Sequence, residues 1–280
     1  MWTMNRIAAA VMLLGVAGTA AADSNYADVY QTGDTNSATV DQSVNAYANS
    51  AVIGQYGNGN GAYAQQSDAA YNYSNIYQSG DSNYAETSQL QQNDSDASTN
   101  QNGFYNSAVI HQWSGSNNSA TVNQSGEGNY THLDQYYNTT NSVTTVDQNG
   151  AYNTALLQQE GDGHTLDLDQ NGIGNTVNAS SWQSAFIGGQ SGQSQQAYLQ
   201  QFGDGNVVNL NQNGQGHYAW VHQDYGYGNE ATITQGGWYN NAHIGQGGNE
   251  NTASVAQGGS YNYANVHQYG NGNNAGVTQN

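Results

Sequence analysis

Along this 280-residue chain a glutamine followed two residues later by glycine recurs, and eleven such copies lie mostly 22 to 24 residues apart. The lead residues are Gln31, Gln55, Gln78, Gln101, Gln124, Gln148, Gln170, Gln190, Gln212, Gln235 and Gln257. Their glycines are Gly33, Gly57, Gly80, Gly103, Gly126, Gly150, Gly172, Gly192, Gly214, Gly237 and Gly259. Seven copies add Asn at five places after the lead, Ala at seven and Gln at eleven. A period of this size marks a repeat architecture, in which each unit completes its core only against its neighbour.

Parity gives the local structure. Asn25, Ala27, Val29 and Gln31 alternate with Tyr26, Asp28 and Tyr30, and Asn36, Ala38, Val40 and Gln42 repeat the pattern. A period of two is a β-strand, with Asn, Ala, Val or Ile and Gln on one face and variable residues on the other. Each copy therefore predicts two short strands joined by x-Gly-x-x, where glycine accepts the positive φ of a reversal. Pairing each strand with its equivalent in the next copy sets Gln over Gln and Asn over Asn. Their amides then bond along the stack instead of being buried alone.

The amides placed in such ladders are Gln31, Asn36 and Gln42; Gln55, Asn60 and Gln66; Gln78, Asn83 and Gln89; and Gln101, Asn106 and Gln112. Late in the chain they are Gln235, Asn240 and Gln246, and Gln257, Asn262 and Gln268. The fold expected is an all-β solenoid of strand–turn–strand repeats with two facing parallel sheets. The end layers of such a stack are open edges, so polymerisation in the cross-β manner is expected.

The first 22 residues read as a secretory signal peptide. Arg6 precedes an apolar run over 7–17, and Ala20-Ala21-Ala22 supplies small residues for cleavage. The run is too short to span a bilayer, so export without membrane insertion is expected. The repeat domain then covers 23–280, as eleven copies plus a C-terminal half-repeat at Asn273, Ala275, Val277 and Gln279. Leaving out Arg6 changes the formal charge from −19 to −20 and removes every Lys and Arg. Such a chain cannot neutralise phosphates, which argues against nucleic acid as a partner. Its like charges oppose association until the carboxylates protonate. Cysteine and proline are both absent, so neither disulfides nor proline breaks enter the sheets.

The pattern Ser/Asn-x5-Gln-x-Gly-x-x-Asn-x-Ala-x3-Gln resembles the curlin repeat of bacterial curli fibres, over nearly all of 25–280. The resemblance implies an extracellular, self-assembling subunit of biofilm matrix and surface adhesion. It also implies a minor nucleator subunit and an outer-membrane secretion pore as partners. The absence of basic residues favours the major, fibre-forming role. A monomeric β-solenoid that binds ice or glycans is the alternative reading.

The copy at Gln170 departs from the pattern. Ser181 stands where the closing Gln belongs, and Ser184, Phe186, Gly188 and Gln190 read as an irregular strand, so a distorted layer is expected over 175–190. His164 and His217 fall in the inward Asn slot, whereas His111, His132, His222, His243 and His267 fall outward. Spread over separate repeats, they lack the close spacing of a metal site, and no cofactor is expected. Gly161-Asp162-Gly163 and Gly203-Asp204-Gly205 are too sparse for a calcium-binding β-roll and read as turns. No nucleophile motif is present, so an enzyme is not expected.

Overall fold

The computed structural model describes residues 11–13, 24–43, 45–180 and 188–280. The described residues of the repeat region form a two-sheet parallel β-solenoid. One sheet begins with Tyr26–Thr32, Ser50–Tyr56 and Tyr73–Asp81, each paired in register with the next. The other begins with Ser37–Ser43, Gly61–Ser67 and Tyr84–Asn93 in the same way. Successive strands in the chain alternate between the sheets and do not pair with each other. Each repeat is thus an arch whose two arms face across the core.

Alternation within each arm decides what is buried. Ser50–Tyr56 reads half-buried and buried by turns, with Ala51, Ile53 and Gln55 inward. Larger aliphatics take the Ala and Val slots in the middle of the stack, where Leu133, Leu157, Leu166 and Leu168 are fully buried. A polar seam divides this core into two clusters, one ending at Ala85 and the other starting at Ala97. Ser74, Thr87 and Thr99 occupy apolar slots there, and the Ser74 and Thr87 hydroxyls bond to each other across the arch.

The irregular copy is an interrupted strand. Thr176–Ala179 pairs with the first half of Thr154–Asp162, and Gly189–Gln193 pairs with the second half of the same strand. The next strand, Val207–Gln215, pairs with both pieces in the same order. The two pieces therefore act as one arm, and the segment between them is an insertion. Residues 184–187 of the strand expected at 184–190 lie outside the described residues, and so does Ser181. Gly188 precedes the strand, and Gln190 closes the copy that Gln170 opened.

This insertion corrects the repeat register. From Gln190 onward, each residue read as a lead glutamine lies in the sheet that held the closing glutamines, because Gln190 aligns with Gln159 and Gln170 aligns with Gln201. The end of the chain is corrected with it. Asn274–Gln279 pairs with Thr252–Gln257 as the second arm of the last layer, so among the described residues no half-layer is left unmatched. Counting the interrupted strand once, and setting aside Val11–Leu13, each sheet holds eleven arms. Val11–Leu13 is the described part of the expected leader, and it runs parallel beside Ser37–Ser43.

Candidate functional site: axial ladders, end layers and a histidine cluster

Two continuous rows of glutamine amides run the length of the stack. In one, Gln31 Nε2 donates to Gln55 Oε1 at 2.6 Å, Gln55 to Gln78 at 2.8 Å, Gln78 to Gln101 and Gln101 to Gln124. The row continues through Gln148, Gln170, Gln201, Gln223 and Gln246 to Gln268. In the other, Gln42 donates to Gln66, Gln66 to Gln89 and Gln89 to Gln112. That row ends with Gln235 donating to Gln257 and Gln257 to Gln279. Interior amides also donate to the facing arm, as Gln78 does to Gly61 O at 3.0 Å. All of the amide-to-amide bonds point the same way along the axis.

Asparagines cap the turns with equal regularity. Asn36 Oδ1 accepts the Asn60 backbone N–H at 2.9 Å, Asn60 serves Asn83, and Asn83 serves Asn106. Their Nδ2 groups donate to the turn glycine carbonyls of the next layer, Asn36 to Gly57 and Asn60 to Gly80. Asn240 and Asn262 belong to the opposite column, in keeping with the register change, and Asn262 N–H donates to Asn240 Oδ1.

The turn glycines have two reasons to be glycine. Gly33, Gly57, Gly80 and Gly103 hold φ between +110° and +127°. A Cβ at each would also lie about 2 Å from the carbonyl oxygen of the glycine one layer on. Gly126, Gly150 and Gly172 continue this column, and Gly172 meets Gly203. Gly192, Gly214, Gly237 and Gly259 form the column at the other turn, entered from Gly161. Positive φ alone does not explain the invariance. Two places later Ser82, Tyr105 and Tyr152 hold φ near +57° without glycine.

His164 and His217 replace asparagine in one cap column and reproduce its bonding. His217 Nδ1 accepts the Asn240 backbone N–H at 3.2 Å, and its Nε2–H donates to Asn213 O at 3.2 Å. His164 Nδ1 accepts from Gln195 N–H at 3.4 Å, and its Nε2–H donates to Glu160 O at 2.9 Å. Both roles require neutral imidazole, and burial lowers both pKa values from the ordinary 6.5. The unfolded chain takes up the proton first as pH falls below about 6.5, so stability drops on the acid side. The wild type is expected to lose up to about 1.4 kcal/mol per pH unit per histidine in that window. His164→Asn with His217→Asn should flatten the loss between pH 7.5 and 5.5 in chemical denaturation. An unchanged slope would refute the cap role.

A second polar cluster sits on the outer face, and it corrects the expectation that the histidines are scattered. Three successive arms of one sheet, Tyr84–Asn93, Ser107–Ser116 and Tyr130–Gln135, bring Glu86, His111, His132 and Asp134 together. His132 Nε2 lies 3.0 Å and His111 Nδ1 3.2 Å from Asp134 Oδ1. Glu86 Oε1 lies 3.6 Å from His111 Nε2. Burial opposes the charge on His111, but the bonds to Asp134 and Glu86 outweigh it and raise its pKa to about 9. Burial likewise opposes the charge on Asp134, and the two histidines overcome it and hold its carboxyl low. The signal was in the sequence: 23 residues, the separation of His111 and Asp134, is one layer.

Other outward residues pair along the axis too. Tyr30, Tyr56 and Tyr77 form a row with ring centroids 5.5 and 5.3 Å apart, and Tyr198 meets Tyr218 at 5.7 Å. Asp162 accepts from Thr140 and Asn141, and Asp204 accepts from Ile173 N–H, so both serve turns of neighbouring layers.

A sequence profile of the curlin associated repeat matches residues 22–46, 93–126, 139–172, 228–258 and 248–280. Together the matched stretches cover just over half of the chain. The chain belongs to the curlin family. No curated protein matches it in sequence. The matched stretches flank the interrupted strand, so the curlin register is recognisable on both sides of the insertion. The family and the solenoid fold are structural rather than catalytic. Among the described residues, no helix is long and apolar enough to cross a membrane.

Proposed function

We propose that this curlin is an exported structural subunit that polymerises head to tail into extracellular amyloid fibres of biofilm matrix. Residues 1–22 are its leader, 23–280 its assembly domain, and it carries no active site. The observation that carries the reading is the complementarity of the two ends. Gln31 Oε1 is buried at the first layer and has no hydrogen-bond partner among the described residues. At the last layer Gln268 and Gln279 spend their Nε2 donors on the facing arm alone, at Thr252 O and Tyr263 O. Ala27 and Val29 at one end, and Ala275 and Val277 at the other, are only partly covered.

With eleven arms in each sheet, Tyr263–Asn271 of one copy can pair with Tyr26–Thr32 of the next, and Asn274–Gln279 with Ser37–Ser43. Every inward slot keeps its residue type across that joint. Leader removal frees the edge of Ser37–Ser43, where Val11–Leu13 otherwise sits. A nucleator subunit and a secretion pore come from the family resemblance alone.

Fibre diffraction from the leaderless chain should give reflections at about 4.8 and about 10 Å. Val29→Asp or Val277→Asp places a charge at one end only, and should slow seeded elongation more than tenfold while leaving the interior layers intact. Elongation at the parent rate in both variants would refute the head-to-tail joint.

A further inference from the structure

The cluster at His111, His132 and Asp134 has no place in the assembly reading, because its three side chains lie on the outer face near mid-stack. Two imidazole nitrogens and a carboxylate converge there, and their ligand atoms lie within 4.8 Å of one another. The separations of 3.0 and 3.2 Å between each nitrogen and Asp134 Oδ1 approach the edge of a small coordination tetrahedron, about 3.3 Å for ligands about 2.0 Å from zinc. His132 and Asp134 are buried, so the donors are held in place by packing.

The fourth residue gives the arrangement its direction. Glu86 faces His111 Nε2, the nitrogen turned away from Asp134. With a cation bound, a carboxylate at that distance would favour the proton on Nε2 and leave the Nδ1 lone pair to the metal. This is the carboxylate–histidine–metal relation seen around zinc ligands. Trp113 stacks on His111 with centroids 5.6 Å apart, holding the ring plane. Beside the cluster, a cleft of about 340 Å³ lined by His111, Trp113, Ser114, Asp134, Tyr136 and Tyr137 opens to solvent. It leaves room for a water or another ligand in the remaining position.

We propose that His111 Nδ1, His132 Nε2 and the Asp134 carboxylate form a site for a divalent transition cation such as Zn²⁺, with Glu86 orienting His111. Mixed nitrogen and oxygen donors suit zinc or copper, whereas calcium and magnesium prefer an all-oxygen shell. The site lies within one copy of the chain. Its occupancy therefore does not depend on whether the chain polymerises.

Calorimetric titration of ZnCl₂ into the metal-free, leaderless full chain tests this. One Zn²⁺ per chain is expected. Asp134→Asn and His132→Gln should each weaken binding at least tenfold, Glu86→Gln should weaken it several-fold, and His222→Gln should leave it unchanged. Absence of saturable binding, or equal affinity in Asp134→Asn and His132→Gln, would overturn the site. Should those variants lose the parallel-β circular dichroism of the parent, X-ray absorption on zinc-loaded parent protein decides. Two imidazoles with oxygen in the first shell support the assignment, and a shell without imidazole rejects it.

Discussion

Gly126→Ala is expected to destabilise its layer by more than about 3 kcal/mol and to dislocate the stack at that turn. A methyl group on Gly126 would lie 1.9 Å from Gly150 O and 2.9 Å from Gly150 C, both backbone atoms that cannot swing aside. The φ of +111° adds strain of about 1–3 kcal/mol for any residue with a Cβ. Relief requires the two layers to separate, which breaks backbone hydrogen bonds worth about 1 kcal/mol each. Gly174→Asn is the matched control. Gly174 also has positive φ, at +70°, but nothing lies within 4 Å of its absent Cβ, and asparagine tolerates that conformation. Hydrogen exchange should show fast amides on both sides of Gly126 in the first variant and near-parent protection in the second. Equal protection in the two would mean that layer contact does not select glycine.

The second large effect is expected from Gln148→Leu, which keeps side-chain volume and removes the amide. Gln148 Nε2 donates to Gln170 Oε1 at 2.8 Å and to Tyr130 O at 3.1 Å. Its Oε1 accepts from Gln124 at 2.8 Å and from the Thr131 hydroxyl at 2.9 Å. The substitution leaves several buried polar groups short of a partner, at about 1–3 kcal/mol each, and the apolar gain offsets only part. A net loss of about 3 kcal/mol or more is expected, read as a lower guanidinium midpoint. Asn149→Ala, one residue on and facing solvent, should stay within about 0.5 kcal/mol of the parent. A midpoint for Gln148→Leu equal to that of Asn149→Ala would show that the amide rows add nothing.

Acidification acts on two sets of groups in opposite senses. Acid below about 6.5 works against the folded layers through His164 and His217, whose neutral form the caps require. Asp169 responds in the opposite sense, because burial and then the neighbouring Asp147 and Asp167 raise its pKa. Its protonation favours the folded stack, at pH closer to the carboxylate range. Acidification thus costs cap bonds before it relieves repulsion along the acidic face.

The repeat itself determined the strands, the inward face and the parallel arch. Each follows from a local rule: period-two burial, a glycine where the chain reverses, and identical residues that gain hydrogen bonds by stacking. Tertiary structure decided the register after Gln170. Gln190 obeys the same Gln-x-Gly pattern as a lead residue, so spacing alone could not show that it closes the earlier copy across an insertion. The pairing of both strand pieces with Thr154–Asp162 settles that, and with it the matched ends of the stack. Only the fold also joined His111, His132 and Asp134. The one-layer separation of His111 and Asp134 was legible in the sequence, but which outward side chains of neighbouring layers touch was decided by how the arms stack.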